Sequence, residues 1–402
     1  MKSFAIFSSL LCLLHPETAT SFVLPTRIAT SGARVIPTSV VAGPSTTGTA
    51  TSTSSTTRLE ALPAVATTAL ASLAALPLSQ KIVLSCFVPT CLGFWKSEYG
   101  VSYAYGTATA LTSYWIAKAF LLTAPVVAVK ATKKAALTAA TSTPGWPLWH
   151  AGALMFYGIR LCLFLAYRES FSKRMKESVE RIEARAKERG GRLKRAPFVL
   201  SCAGLYFGLC APLLITSQIM TTTAATTWLI PQPWMTRICQ SLVGMTWFGF
   251  VFAALGDLNK SLVKAMKGED HLVTGGIFGV CRHPNYTGEI IGWTCNGLLA
   301  IFAAIATKGA AGIIPLPQLV GYLFASIAGA VGLDFVLFQA TGGLEKRQKE
   351  KYGDTEEYKS WVDTTWAGFE MPAKVEKVAE EVSSVNPEIE VVETEEKGGS
   401  GI

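Results

Sequence analysis

The sequence predicts an all-α, polytopic integral membrane protein with six to seven transmembrane helices. Three observations predict it. Half of the 402 residues are hydrophobic and only 16% are charged, where a soluble domain carries about 25% charged residues. Several runs approach the roughly 20 mostly apolar residues that a span needs. The basic residues gather in the polar stretches between those runs, as polytopic membrane proteins require. The formal charge of +8 is therefore a matter of topology. No aromatic–basic interleaving forms a base-stacking surface, so the expected partner is the lipid bilayer and not nucleic acid.

The chain opens on an address. Lys2 precedes an apolar stretch at 4–14, and the small residues Ala19, Thr20 and Ser21 follow. That outline is a secretory signal peptide over 1–21, too short to span. Residues 22–60 then carry Arg27, Arg34 and Arg58 with a Ser/Thr-dense run at 45–57, a composition of plastid transit peptides. The two parts together resemble the bipartite targeting sequences of algae with secondary plastids, with Ala19-Thr20-Ser21-Phe22 as the junction. The expectation is a plastid membrane. The alternative is an ordinary secretory signal followed by a glycosylated linker, which leaves the protein in the endoplasmic reticulum membrane.

The membrane domain is expected over 61–372. Its candidate spans are 62–84, 103–129, 146–167, 198–219, 238–255, 289–306 and 313–339. The first is interrupted by Pro77 and Ser79, and 86–95 offers a continuation. Between the third and fourth spans, 169–195 holds ten Lys/Arg against five Glu and is assigned to the cytoplasm-equivalent side. Counting spans forward puts 257–288 and the C-terminus on that side too. Lys130, Lys133 and Lys134 fall on the opposite side, against the same tendency. Residues 344–361 read as a polar helix outside the bilayer, broken at Gly353, and 373–402 as a disordered tail. The nine cysteines lie mostly inside apolar runs with no CxxC or Cys/His set, so they read as small buried hydrophobes and no metal is expected. His150 and His271 read as isolated interface or loop residues.

Function is concentrated in 282–289, Arg-His-Pro-Asn-Tyr-Thr-Gly-Glu. A cation, an imidazole, an amide, a phenol and a carboxylate at the mouth of a span are costly unless they contact a ligand, water or one another. Read singly, they also fit a structural account in which Arg282 and Glu289 form an interfacial salt bridge and Tyr286 joins the aromatic belt. Asp257 and Lys260, three apart at the end of a span, share a face if the helix continues. Arg160, inside an apolar run, reads as an interior polar group, and Arg168 as a snorkelling one.

The stretch 272–289, Leu-Val-Thr-Gly-Gly-Ile-Phe-Gly-Val-Cys-Arg-His-Pro-Asn-Tyr-Thr-Gly-Glu, closely resembles the C-terminal signature of the steroid 5α-reductase-like membrane family, nearest to its DUF1295 branch. Arg160-Leu161 with Tyr167-Arg168, Gly256-Asp257-Leu258-Asn259-Lys260, and Leu344-Glu345-Lys346-Arg347 followed by Lys351-Tyr352-Gly353 fit in the same order. The resemblance implies NADPH as cofactor, with Asp257, Lys260, Arg282, His283, Asn285, Tyr286, Glu289 and Glu345 forming its site. Arg282 would be the main phosphate contact, because its fork matches phosphate geometry. Asn285 would meet a carboxamide or adenine edge, and Gly288 would allow backbone to approach the ligand. Trp293, one turn from Glu289, reads equally as a shield for the pocket or as an anchor in the aromatic belt. The implied reaction is reduction of an activated carbon–carbon double bond in a lipophilic sterol, steroid or isoprenoid-like substrate. Its proton donor is unassigned, with Tyr157 and Tyr206 as candidates by position. Isoprenylcysteine methyltransferases carry a similar RHPxYxG, so an S-adenosylmethionine-dependent methyltransferase stands as the alternative, and a non-catalytic lipid-binding protein as a third reading.

Overall fold

The computed structural model describes residues 75–130, 145–223, 233–308 and 314–369. The signal and transit segments, the start of the 62–84 run, Lys133, Lys134 and the tail 373–402 lie outside them. The membrane body begins at Leu78. Its helices are α1 (Leu78–Thr90), α2 (Tyr103–Lys130), α3 (Trp146–Phe171), α4 (Lys173–Glu188), α5 (Ala196–Thr223), α6 (Pro233–Lys267), α7 (Pro284–Lys308), α8 (Leu316–Tyr352) and α9 (Glu356–Thr364). Short helices at Leu92–Trp95 and Ser97–Val101 join α1 to α2. Among the described residues there is no strand, only an isolated bridge between Cys281 and Trp366.

Among the described residues, six stretches are long and apolar enough to cross a bilayer: Leu78–Trp95, Trp146–Phe171, Arg192–Gln218, Trp234–Lys267, Pro284–Ile305 and Leu316–Tyr352. The chain is an integral membrane protein. Helix α2, with 28 residues, is also long, and it buries Thr107, Thr109, Thr112 and Ser113 against its neighbours. Thr109 and Ser113 turn their hydroxyls back onto carbonyls of the preceding turn, so these groups are satisfied without water.

Four boundaries depart from the sequence expectation. The first span takes the later option and runs through 86–95. Helix α6 continues past 255 to Lys267, which puts Asp257 and Lys260 on one helix as required. Helix α7 begins at Pro284, whose fixed φ and missing N–H suit a first helical position. Helix α8 runs unbroken through Glu345 to Tyr352 and stops at Gly353. The polar stretch 344–352 is thus the end of the last span and not a separate helix, because its Glu, Lys, Arg and Gln residues are strong helix formers.

Helices α3 and α6 run parallel in constant register. Trp247 donates to the Trp149 carbonyl at 2.9 Å, Arg160 meets Asp257 at 2.6 Å and Arg174 meets Asp270 at 2.7 Å. Helix α7 returns antiparallel along α6 at very short range. A Cβ on Gly249 would stand 2.5 Å from the Gly288 carbonyl and from the Gly292 nitrogen, so only glycine permits this approach. On the basic side, Asp270 joins Arg174 of α4's first turn to Lys351 of α8. Thr274 donates to Glu357 at 3.1 Å, and Trp361 donates to the Phe278 carbonyl at 2.7 Å. The 173–195, 268–283 and 353–366 segments therefore share one side, as span counting predicts.

Candidate functional site

The site grows from the α6–α7 contact. Gly256 lies against Pro284 and Asn285 so closely that its Cβ would be 2.9 Å from the Asn285 nitrogen. This brings the 256–260 and 282–289 elements together at the basic end of the bundle. Because α7 starts at Pro284, residues 285 and 289 stand one turn apart on a single face.

Two ion clusters result. In the first, Arg160 of α3 donates to Asp257 at 2.6 Å and lies 3.7 Å from Glu289. Asp257 thus pairs across helices with Arg160 and forms no salt bridge with Lys260. In the second, Glu345 of α8 accepts from Arg282 at 2.9 Å and from His283 at 2.7 Å. Arg282 also donates to the Val362 carbonyl at 3.0 Å, and its backbone N–H to the Trp366 carbonyl at 2.8 Å. Arg282 is only 8% exposed and His283 1%. Their contacts clamp α7's entry to α8, to α9 and to the segment after it. The sequence pairing of Arg282 with Glu289 does not occur, since Glu289 faces Arg160 instead.

The cations without such partners lie close by. Lys260 is within electrostatic reach of Lys264, Arg168 and Arg347, and Tyr286 of Arg347 and Arg168. Lys260, Arg168 and Arg347 form no ion pair among the described residues. The Asn285 side chain, half-buried, makes no hydrogen bond among them either. Arg168, read from sequence as a snorkelling residue, therefore belongs to this group. Lys260, Asn285 and Tyr286 border the same cationic mouth.

Beneath it lies a packed aromatic cluster. Tyr157 is fully buried, with ring centroids 4.5 Å from Phe250, 5.1 Å from Trp293 and 5.3 Å from Tyr105. The Arg160 guanidinium sits 5.1 Å over its ring. The Tyr105 and Tyr157 hydroxyls, the Trp293 Nε1 and the Arg160 Nε and Nη2 are all buried without a well-formed hydrogen bond. The two hydroxyls feel each other and Glu289 electrostatically. Each orphaned buried polar atom costs about 1–3 kcal/mol, and several converging on one spot demand an explanation. Tyr206 differs: its hydroxyl lies 3.0 Å from the Gly100 carbonyl and 2.9 Å from that of Val101.

Residues 121–365 match the family described as "Protein of unknown function (DUF1295)". The chain belongs to the DUF1295 family. No curated protein and no solved structure matches it. In this DUF1295 protein the family region starts inside α2 and runs to the end of α9, so it holds both ion clusters, Tyr157 and Trp293, while Tyr105 precedes it. Sequence reasoning missed Tyr105, since a tyrosine among Ala, Gly and Thr carries no pattern. It also read His150 as peripheral. The DUF1295 protein instead buries His150 completely, with its ring nitrogens 3.1 Å from the Thr216 hydroxyl and 2.8 Å from Asn296. Asn296 in turn donates to the Leu209 carbonyl at 2.9 Å. That chain of bonds is a satisfied interhelical tie. Among the described residues no group of His, Cys, Asp and Glu is placed to hold a metal.

Proposed function

We propose that this DUF1295 protein is an NADPH-dependent reductase of a carbon–carbon double bond conjugated to a carbonyl in a lipophilic sterol, steroid or isoprenoid-like substrate. The observation that carries the reading is the Tyr157 hydroxyl. It is a proton donor held inside a packed aromatic cluster, beside an Arg–Asp–Glu cluster and without a well-formed hydrogen bond. A buried phenol in that state suits a carbonyl oxygen that becomes negatively charged during reaction.

The donor set fits the dinucleotide. Lys260, Arg168 and Arg347 are unpaired cations suited to its phosphates. Asn285 offers a free amide, and Tyr286 a ring for stacking. Arg282, His283 and Glu345 would hold the walls of that site. When bound, NADPH supplies the hydride that adds to the β-carbon. Tyr157 donates its proton to the carbonyl oxygen and so stabilises the enolate charge. Glu289 beside Tyr157, in its protonated form, gives a proton to the α-carbon while the enol returns its own to the Tyr157 oxygen, which leaves the saturated carbonyl compound; Glu289 regains a proton from the aqueous side between turnovers. Arg160 fixes Glu289 and Asp257, and Tyr105, Phe250 and Trp293 exclude water from the step.

The deciding experiment measures binding of NADPH and of S-adenosylmethionine to the purified protein in detergent. Binding of NADPH alone supports the reductase; binding of S-adenosylmethionine alone replaces it with the methyltransferase, and binding of neither with a non-catalytic role. We further assign the protein to a plastid membrane on the composition of residues 22–60. Residues 1–60 fused to a fluorescent protein should enter plastids, and retention in the endoplasmic reticulum would reverse the assignment.

A further inference from the structure

A recess of about 370 Å³ opens where α4 turns back into α5, remote from Tyr157 in sequence and built by other elements. Arg185, Arg189, Lys194 and Arg195 line it, together with Ser97 and Phe198. The reversal is made at Gly190, whose φ of 127° is closed to other residues without strain.

The charge there is unbalanced. Arg195 is 7% exposed. Its guanidinium holds Glu183 through bonds of 3.1 and 3.0 Å and the Gly93 carbonyl at 3.3 Å, yet its buried Nε–H has no acceptor. Arg185, Arg189 and Lys194 have no carboxylate within ion-pair distance among the described residues. Three unpaired cations and an orphaned donor on one concave face call for an anion.

Position narrows which anion. The apolar span Arg192–Gln218 starts at this recess. Leu193 is 85% exposed and Phe198 43%, so apolar side chains stand beside the cations at the membrane boundary. A free phosphate would satisfy the cations and leave Leu193 and Phe198 in water. A phospholipid satisfies both.

We propose that the recess binds the phosphate headgroup of an anionic phospholipid, with the acyl chains running down the start of α5. This goes beyond the reductase reading and stands without it.

The test uses the full chain in nanodiscs of phosphatidylcholine with a minor share of phosphatidylglycerol, followed by native mass spectrometry of retained lipid. Phosphatidylglycerol should be enriched on the parent protein. The triple variant Arg185→Ala/Arg189→Ala/Lys194→Ala should lower its retention about a hundredfold, three interfacial cations at roughly 1 kcal/mol each. The variant Lys173→Ala/Arg181→Ala/Lys187→Ala removes equal charge from α4 outside the recess and should retain the lipid. Equal losses in both variants, or no loss in the first, would overturn the site. Leu193→Ser/Phe198→Ser should also release lipid; displacement by millimolar inorganic phosphate with no effect of that variant would mean a free-anion site instead. Should the first triple variant melt early, the single variants Arg189→Gln and Lys194→Gln carry the comparison, each with a partial loss.

Discussion

At the scale of single residues, Tyr157 and Tyr206 make a controlled pair, because both are buried and only one has hydrogen-bond partners. Tyr157→Phe removes a hydroxyl that bonds to nothing well, so the melting temperature in detergent should hold or rise slightly. Turnover should collapse while NADPH affinity stays within about twofold, if the loss falls only on a transition-state interaction. Tyr206→Phe should do the reverse, costing about 1 kcal/mol of stability with turnover preserved. A Tyr157→Phe enzyme at parental rate would remove the proposed donor. Arg282 invites a second comparison. Its bonds to Glu345 and Val362 predict that Arg282→Gln destabilises the protein by about 1–3 kcal/mol, moderated because Glu345 keeps His283. Unchanged stability with weakened NADPH binding would instead make Arg282 the phosphate contact that its sequence position implies. The limit of sequence reading is clear in these residues. The cluster 282–289 announces a polar site, and its order with 256–260 and 344–347 announces a shared one. That Arg160 takes Asp257 and Glu289, leaving Arg282 for Glu345, depends on helix rotation, which no spacing in the sequence records.

At the scale of elements, the bundle was legible wherever twenty apolar residues ran together, and less so where a helix outruns the bilayer. Helices α6 and α8 continue well past their apolar runs, and the useful polar groups Asp257, Lys260 and Glu345 sit on those continuations. Hydropathy sees the lipid-facing part of a helix, whereas a helix ends where its backbone leaves the helical region, as α8 does between Gly353 and the extended Thr355. Gly288 shows the same difference. As a residue in a polar motif it reads as room for a ligand, but its Cβ direction points into α6, against the Gly249 carbonyl and the Ala253 nitrogen. Gly288→Ala should therefore push α7 from α6 and cost about 1–3 kcal/mol, the range for overpacking a tight interface. Gly204→Ala, where an added Cβ meets nothing within 4 Å, should be neutral or stabilising by up to about 1 kcal/mol. Thermal melting of the two variants side by side checks this. Equal melting would mean the α6–α7 approach is looser than it stands here.

At the scale of the whole molecule, the bundle and its water-side layer are held by different forces, and acid should separate them. The bundle rests on apolar packing, glycine contacts and the His150–Asn296 tie. The layer rests on carboxylates outside the membrane. Hydrogen bonding to Lys351, reinforced by Arg174, holds the Asp270 carboxyl below its usual range. Burial pushes the Glu183 carboxyl up, but bonds from Arg195 and the Ser97 amide outweigh it, and the net shift is downward. A carboxyl depressed in the folded state stabilises the fold above its unfolded pKa, and that contribution fades as pH falls through the folded value. The layer should therefore be unchanged from pH 8 to about 5 and loosen below about 4, where free carboxyls protonate. Spin labels at the exposed positions Glu177 on α4 and Asp363 on α9 would report it as a distance distribution that broadens only in acid. Asp270→Asn should show the broadened distribution already at neutral pH, since it removes the charge that Arg174 and Lys351 share. A distribution that stays narrow to pH 3 in the parent would mean that apolar contacts such as those of Phe278, Tyr358 and Trp361, and not the ion pairs, hold this face together.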